Sequence, residues 1–126
     1  MTLKIAFLFA AFAGALGVVL GAFGAHALRG SIEPRLIETF QTAVQYQLIH
    51  ALALLLVSLT MGWLGQSLLF EISAYAFMAG IILFSGSLYG LVLTEMKWLG
   101  PVTPLGGLSL IVGWLALLVG GFRQIA

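Results

Sequence analysis

The sequence contains no cysteine, and only 7% of its 126 residues are charged. The absence of cysteine excludes disulfide bonds, thiolate zinc sites and cysteine nucleophiles. Charged residues make up about 25% of an ordinary soluble domain, so a soluble globular domain and a disordered chain are both excluded. Lys and Arg together number 5 against 4 acidic residues, which leaves no basic surface that would hold phosphates. We therefore expect no nucleic-acid partner.

Apolar residues take the place of the charges. Hydrophobic residues make up 62% of the chain, and its mean hydropathy is +1.17. Each uncharged run between the charges is longer than the roughly 20 residues that cross a bilayer core as a helix. These runs are 5–28, 39–70, 72–94 and 98–122. A backbone in lipid must satisfy its own hydrogen bonds, and the alternating segments of a membrane barrel are missing, so each run should be a helix.

The predicted fold is therefore all-α, an integral membrane four-helix bundle made of two antiparallel hairpins. A single transmembrane domain covers residues 1–126. We place its spans at about 3–28, 46–64, 70–94 and 103–123, and an amphipathic lead-in to the second span at 34–45. Membrane lipids are then the first partners of the protein.

Small residues recur at steps of three and four along the first, third and fourth spans. Because small residues let helices approach closely in lipid, we expect these positions to form the packing seams. The glycines in these seams are Gly14, Gly17, Gly21, Gly24, Gly80, Gly106, Gly113 and Gly120. The second span has no such series, since its middle reads Leu52-Ala53-Leu54-Leu55-Leu56. We therefore expect the second span to face lipid more than the others.

The start of the second helix has two different faces. Its apolar positions are Leu36, Ile37, Phe40, Ala43 and Val44, and its polar positions are Arg35, Glu38, Gln41 and Gln45. This pattern is typical of a helix lying in the membrane interface, and it also suits a helix that lines a polar cavity.

Two histidines flank the first loop, with His26 at the end of the first span and His50 in the second. Tyr46 and Gln47 precede His50 by four and three residues, so they share its helical face. Polar groups within a membrane usually point into the bundle and form hydrogen bonds between helices. The alternatives are haem ligation by the two histidines, metal ligation with Glu38, or binding of a lipid headgroup, a quinone or a proton in transit.

No catalytic constellation is apparent. Ser85 and Ser87 have no charge-relay partner, because the chain has no Asp and its Glu residues lie near helix ends. We assign no catalytic residue, no metal and no cofactor.

Several segments of the sequence resemble one known family. They are LGAFGAHAL (20–28), TAVQYQ (42–47) with HALALL (50–55), LFSGSLY (83–89), and TPLGG (103–107) with GW (113–114). In combination they are similar to the small inner-membrane proteins of the YgdD/YwdK type. The resemblance implies a multi-pass protein of the bacterial inner membrane with four helices, and it implies no activity.

These segments fall at the ends of the helices beside the first and third loops, which share one leaflet in an antiparallel bundle. We therefore predict one shallow polar pocket there, with interhelical clamps as the alternative arrangement of the same side chains. Its candidate residues are His26, Tyr46, Gln47, His50, Ser87, Tyr89 and Thr103.

The function that these features favour is that of a non-enzymatic structural, accessory or oligomeric membrane protein. Its expected partner is a second copy or another membrane protein. The alternatives are a small oligomeric transporter or channel, and a lipid- or quinone-binding protein.

Overall fold

The computed structural model describes residues 2–125, and it consists of four long helical segments joined by short loops. The first and last residues of the predicted domain lie outside the described residues. The four segments are Thr2–Leu28, Pro34–Leu64, Leu68–Thr94 and Lys97–Gln124, and each is long and apolar enough to cross a membrane. The predicted all-α membrane bundle is confirmed.

Five α-helices make up these segments. They are α1 (Thr2–Phe23), α2 (Pro34–Leu64), α3 (Leu68–Gly80), α4 (Gly86–Thr94) and α5 (Val102–Gln124). A π-helical turn, Gly24–Leu28, extends α1, and a second one, Ile81–Ser85, joins α3 to α4 within a single span. The lead-in and the second span form one continuous helix, α2.

The helix ends follow from local chemistry. Pro34 begins α2, where its missing N–H costs no helical hydrogen bond. Gly65, with a φ of +89°, ends α2 in a conformation that a residue with a Cβ rarely adopts. The Ser67 hydroxyl then accepts a hydrogen bond from the Phe70 N–H and caps α3. These short connections hold neighbouring helices antiparallel.

The helices pair as two hairpins, with α1 packed chiefly on α2 and α3 packed chiefly on α5. The prediction that the second span faces lipid is wrong. In an apolar stretch of 18 residues within each span, 44% of the residues are buried in the second span and 22% in the first. Large side chains such as Leu54, Val57 and Met61 fill the space between the hairpins, so α2 is buried although it lacks a periodic series of small residues.

Glycines on α1, α3 and α5, and Gly24 of the π-helical turn, lie against atoms of neighbouring helices. A Cβ added at Gly17 would lie 2.6 Å from Leu48 Cδ2, and one added at Gly24 would lie 2.9 Å from the Phe40 ring. Equivalent contacts occur at other predicted glycines, each with its own partner: Gly21 with Val44, Gly80 with Leu110, Gly106 with the Phe84 backbone, Gly113 with Phe77, and Gly120 with Phe70. These glycines lie at close helix–helix approaches.

Gly14 lies outside this seam, because no atom lies within 4 Å of the position that its Cβ would take. Ala6, Ala10, Ala13 and Gly17 are buried instead. Their steps of four, three and four keep them on one face of α1, and Gly14 is offset from that face by one residue.

Candidate functional site

Polar side chains form a layer near the middle of the bundle, which we call the central polar layer (Gln47, His50, Ser85, Tyr89 and Trp114). Along α2 it lies between two apolar clusters. The first cluster takes residues 36–44 of α2, and the second takes residues 53–61. Gln47 and His50 are 3% and 5% exposed, so their polar atoms must be satisfied within the protein.

Gln47 connects three helices. Its Nε2 donates a hydrogen bond to the Ala13 carbonyl of α1 at 2.8 Å, and its Oε1 accepts one from the Tyr89 hydroxyl of α4 at 2.6 Å. Ala13 lies close to the middle of the first span, so Gln47 lies at a similar depth. The amide therefore acts as an interhelical clamp deep in the bundle.

His50 is held at both ring nitrogens. Its Nε2 lies 3.0 Å from the indole Nε1 of Trp114, and its Nδ1 lies 2.8 Å from the Tyr46 carbonyl oxygen. An indole N–H can only donate, so Nε2 must accept; a carbonyl can only accept, so Nδ1 must carry the proton. This pattern assigns one neutral tautomer to His50. A haem iron or metal at either nitrogen would have to displace one of these partners.

Hydroxyl groups make further contacts between the helices of the bundle. Three serines donate to carbonyl oxygens of a neighbouring helix: Ser85 to Ala43 at 2.7 Å, Ser73 to Gly113 at 2.8 Å, and Ser109 to Ala76 at 2.7 Å. The hydroxyls of Ser87 and Thr103 lie 2.6 Å apart and connect α4 to α5. Within residues 2–125, every buried side-chain nitrogen and oxygen has a hydrogen-bond partner.

The structure divides the predicted pocket residues into three pairs and one separate residue. Gln47 joins Tyr89, Ser87 joins Thr103, and Tyr46 stacks on His50 with their ring centroids 5.8 Å apart.

His26 lies in the π-helical turn that ends the first span, is exposed, and hydrogen-bonds to no residue in 2–125. The arrangement differs from a single shallow pocket, since Gln47 and His50 pair with Ala13 and Trp114, both near mid-span.

Sequence reasoning missed Trp114 as the partner of His50. Trp usually lies at the membrane interface, so a Trp near the middle of α5 signals a hydrogen-bond partner within the bundle. Ser73 and Ser109 are not among the candidate residues either, although both donate hydrogen bonds between helices. At the opposite rim of the bundle, beside the second loop, the Thr2 hydroxyl donates a hydrogen bond to a Glu71 carboxylate oxygen at 3.1 Å.

Two grooves reach the central polar layer from the outside of the bundle. One, of about 300 Å³, lies between α1 and the third span and reaches Gln47 and Tyr89. The other, of about 460 Å³, lies between α2, the third span and α5 and reaches His50 and Trp114. Each is lined mainly by apolar residues, so the layer is accessible from the acyl-chain side.

Four apolar spans around a hydrogen-bonded polar layer define a small multi-pass integral membrane protein. The chain belongs to the DUF423 family, described as a protein of unknown function, whose model matches residues 20–107. The resemblance to proteins of the YgdD/YwdK type is therefore confirmed.

Three relatives are similar over most of the chain. The UPF0382 membrane protein YwdK of Bacillus subtilis is 37% identical over 98% of this chain and 100% of its own length. The UPF0382 inner membrane protein YgdD of Escherichia coli K12 is 40% identical over 98% of this chain and 93% of its own length. The UPF0382 membrane protein SAB0533 of Staphylococcus aureus is 43% identical over 86% of this chain and 87% of its own length. No solved structure matches this chain.

Proposed function

We propose that this protein is a non-catalytic structural subunit of the bacterial inner membrane that assembles with a second copy of itself through the outer face of α1. The name of the Escherichia coli relative supports the compartment. The hydrogen bonding of the central polar layer supports a scaffold role, because its polar groups join helices to one another. The surface of the bundle is then where partners bind.

The outer face of α1 carries the proposal. A second series, of four alanines with Val18 at its centre, runs along the first span at steps of four and three, and every member is exposed: Ala11, Ala15, Val18, Ala22 and Ala25. Lipid-facing positions on α5 hold large residues instead, such as Leu108, Leu115 and Leu118. Small side chains give a lipid-facing helix little contact with acyl chains, but they let a second helix approach closely.

A groove beside this face adds to its fit for a partner helix. It has a volume of about 480 Å³, lies between α1 and α2, and is lined by residues that include Gly14, Leu48 and Leu52. Gly14 leaves open space where a side chain would otherwise stand. Large side chains of a facing helix would enter the groove, as Phe77 packs on Gly113 within the bundle.

Disulfide trapping tests this proposal. Because the sequence has no cysteine, each variant carries a single thiol and no background cross-link can form within the protein. Ala15→Cys and Ala22→Cys introduce single thiols on the outer face of α1, and Leu108→Cys is the control on the exposed face of α5. Mild oxidation in native membranes should give disulfide-linked dimers of the α1 variants and leave the α5 variant monomeric.

Equal cross-linking of all three variants would indicate random collision and contradict the proposal. Absence of dimers from both α1 variants would also contradict it. A cross-link to a different membrane protein would replace self-assembly with an accessory role.

A further inference from the structure

The groove next to His50 has features of a small-molecule site. We call it the Trp114 groove, and six of its lining residues carry the argument: Tyr46, His50, Phe84, Gly107, Ile111 and Trp114. Ile111 and Trp114 are 54% and 44% exposed, so the groove opens sideways towards the acyl chains. Its volume of about 460 Å³ lies within the roughly 300–1,000 Å³ range of ligand pockets. A ligand would enter from the membrane and must be lipid-soluble.

Aromatic rings form the walls of the Trp114 groove. The Tyr46 ring lies 4.6 Å from the Phe84 ring and is nearly parallel to the His50 ring, at 17°. The Trp114 ring meets His50 edge-on, with centroids 5.9 Å apart. Gly107 adds no side chain to the groove, and a Cβ there would lie in ordinary contact with Phe84, at 3.8 Å. These walls suit a flat ring, which stacks against aromatic faces better than a flexible acyl chain does.

One polar group of the groove remains free. Both nitrogens of His50 and the indole N–H of Trp114 are engaged, as described above. The Tyr46 side chain is 40% exposed, and its hydroxyl forms no hydrogen bond within residues 2–125. A hydroxyl in an apolar environment is unfavourable without a partner, so a ligand that brings an acceptor would be stabilised there.

We propose that the Trp114 groove binds a membrane quinone. The flat quinone ring packs against Tyr46 and Phe84, and one ring carbonyl accepts a hydrogen bond from the Tyr46 hydroxyl. The isoprenoid tail leaves past Ile111 into the acyl chains. A phospholipid acyl chain would match the apolar lining but would use neither the aromatic walls nor the hydroxyl. This site is independent of the proposed self-assembly, which uses the outer face of α1.

Trp114 provides the reporter for a direct test. The other tryptophans, Trp63 and Trp98, lie near helix ends, and the W63F/W98F background leaves Trp114 as the only indole. The protein in lipid nanodiscs is titrated with a decyl-substituted benzoquinone while Trp114 fluorescence is recorded. Binding in the groove predicts quenching that saturates, whereas collision in the bilayer gives quenching that rises linearly.

Three variants in the same background locate the site. Gly107→Leu fills the groove and should abolish the saturating component. Tyr46→Phe removes only the hydroxyl and should weaken apparent affinity about fivefold, the equivalent of one hydrogen bond. Tyr75→Phe is the matched control, since Tyr75 lies on the opposite rim near Thr2, and it should bind like the parent. Thermal melting of each variant confirms that it is folded.

Three results would overturn the proposal. They are linear quenching in the parent, saturating quenching that persists in Gly107→Leu, and equal displacement of the quinone by decanol. The last result would show that the groove accepts any apolar chain.

Discussion

Gly113→Ala is the smallest change that tests whether the glycine seams determine how closely the helices approach. The new Cβ would lie 2.6 Å from both Cδ1 and Cε1 of Phe77, a side chain with no exposed surface. Neither α5 nor the Phe77 ring can move without disturbing His50 and Trp114, which pack on that ring with centroids 5.6 and 5.1 Å away. Such overpacking costs about 1–3 kcal/mol.

Replacing glycine by alanine within a helix offsets part of this cost, by about 0.5–1 kcal/mol. The expected net loss in the free energy of unfolding is therefore about 1 kcal/mol, within a range of about 0–2.5 kcal/mol. Titration with SDS in mixed micelles, followed by circular dichroism, measures this free energy. Gly14→Ala is the matched control, because the same substitution meets no atom within 4 Å and should leave stability unchanged or slightly raised. Equal stability of the two variants would refute the packing explanation.

Three further substitutions test individual contacts by the same unfolding titration. Ser85→Ala should lose about 0.6 kcal/mol, a typical interhelical hydrogen bond in a membrane protein, and a loss near zero would show that its bond to Ala43 contributes nothing. Trp114→Phe should lose about 1 kcal/mol, because His50 Nε2 is left without a donor; parental stability would argue against that bond. His26→Ala should stay within about 0.5 kcal/mol of the parent, because the side chain is exposed, and a larger loss would reveal a contact that the structure lacks.

The fold class could be predicted from sequence because a bilayer imposes a simple rule on it. A chain with four long uncharged runs has few alternatives to four helices. The seams could also be predicted in part, since small residues recur with the helical period around Gly17 and Gly24 in the first span and around Gly113 in the fourth. The choice between Ala13 and Gly14 was not readable, because both are small and the deciding factor is the rotation of α1 against α2.

The partners of the polar residues could not be predicted, because they depend on depth and rotation together. The sequence predicts a shallow position for Gln47 and His50, since charged and polar residues precede them along α2. Their contacts with Ala13 and Trp114 place them near the middle of the bundle. The central position of α2 is not predictable for a related reason: a series of small residues marks only one side of a packed seam, and the other side consists of large residues such as Leu48.

A double-mutant cycle between Gln47 and Tyr89 tests most directly whether the central polar layer holds the helices together. Gln47→Leu, Tyr89→Phe and the combined variant are unfolded with SDS, and Gln47→Leu combined with Ser73→Ala serves as a pair without a shared hydrogen bond. We expect a coupling energy of about 0.6 kcal/mol, and no more than about 1.7 kcal/mol, for Gln47 with Tyr89, and additive effects for the control pair. Additive effects for Gln47 and Tyr89 as well would show that their hydrogen bond does not clamp α2 to α4.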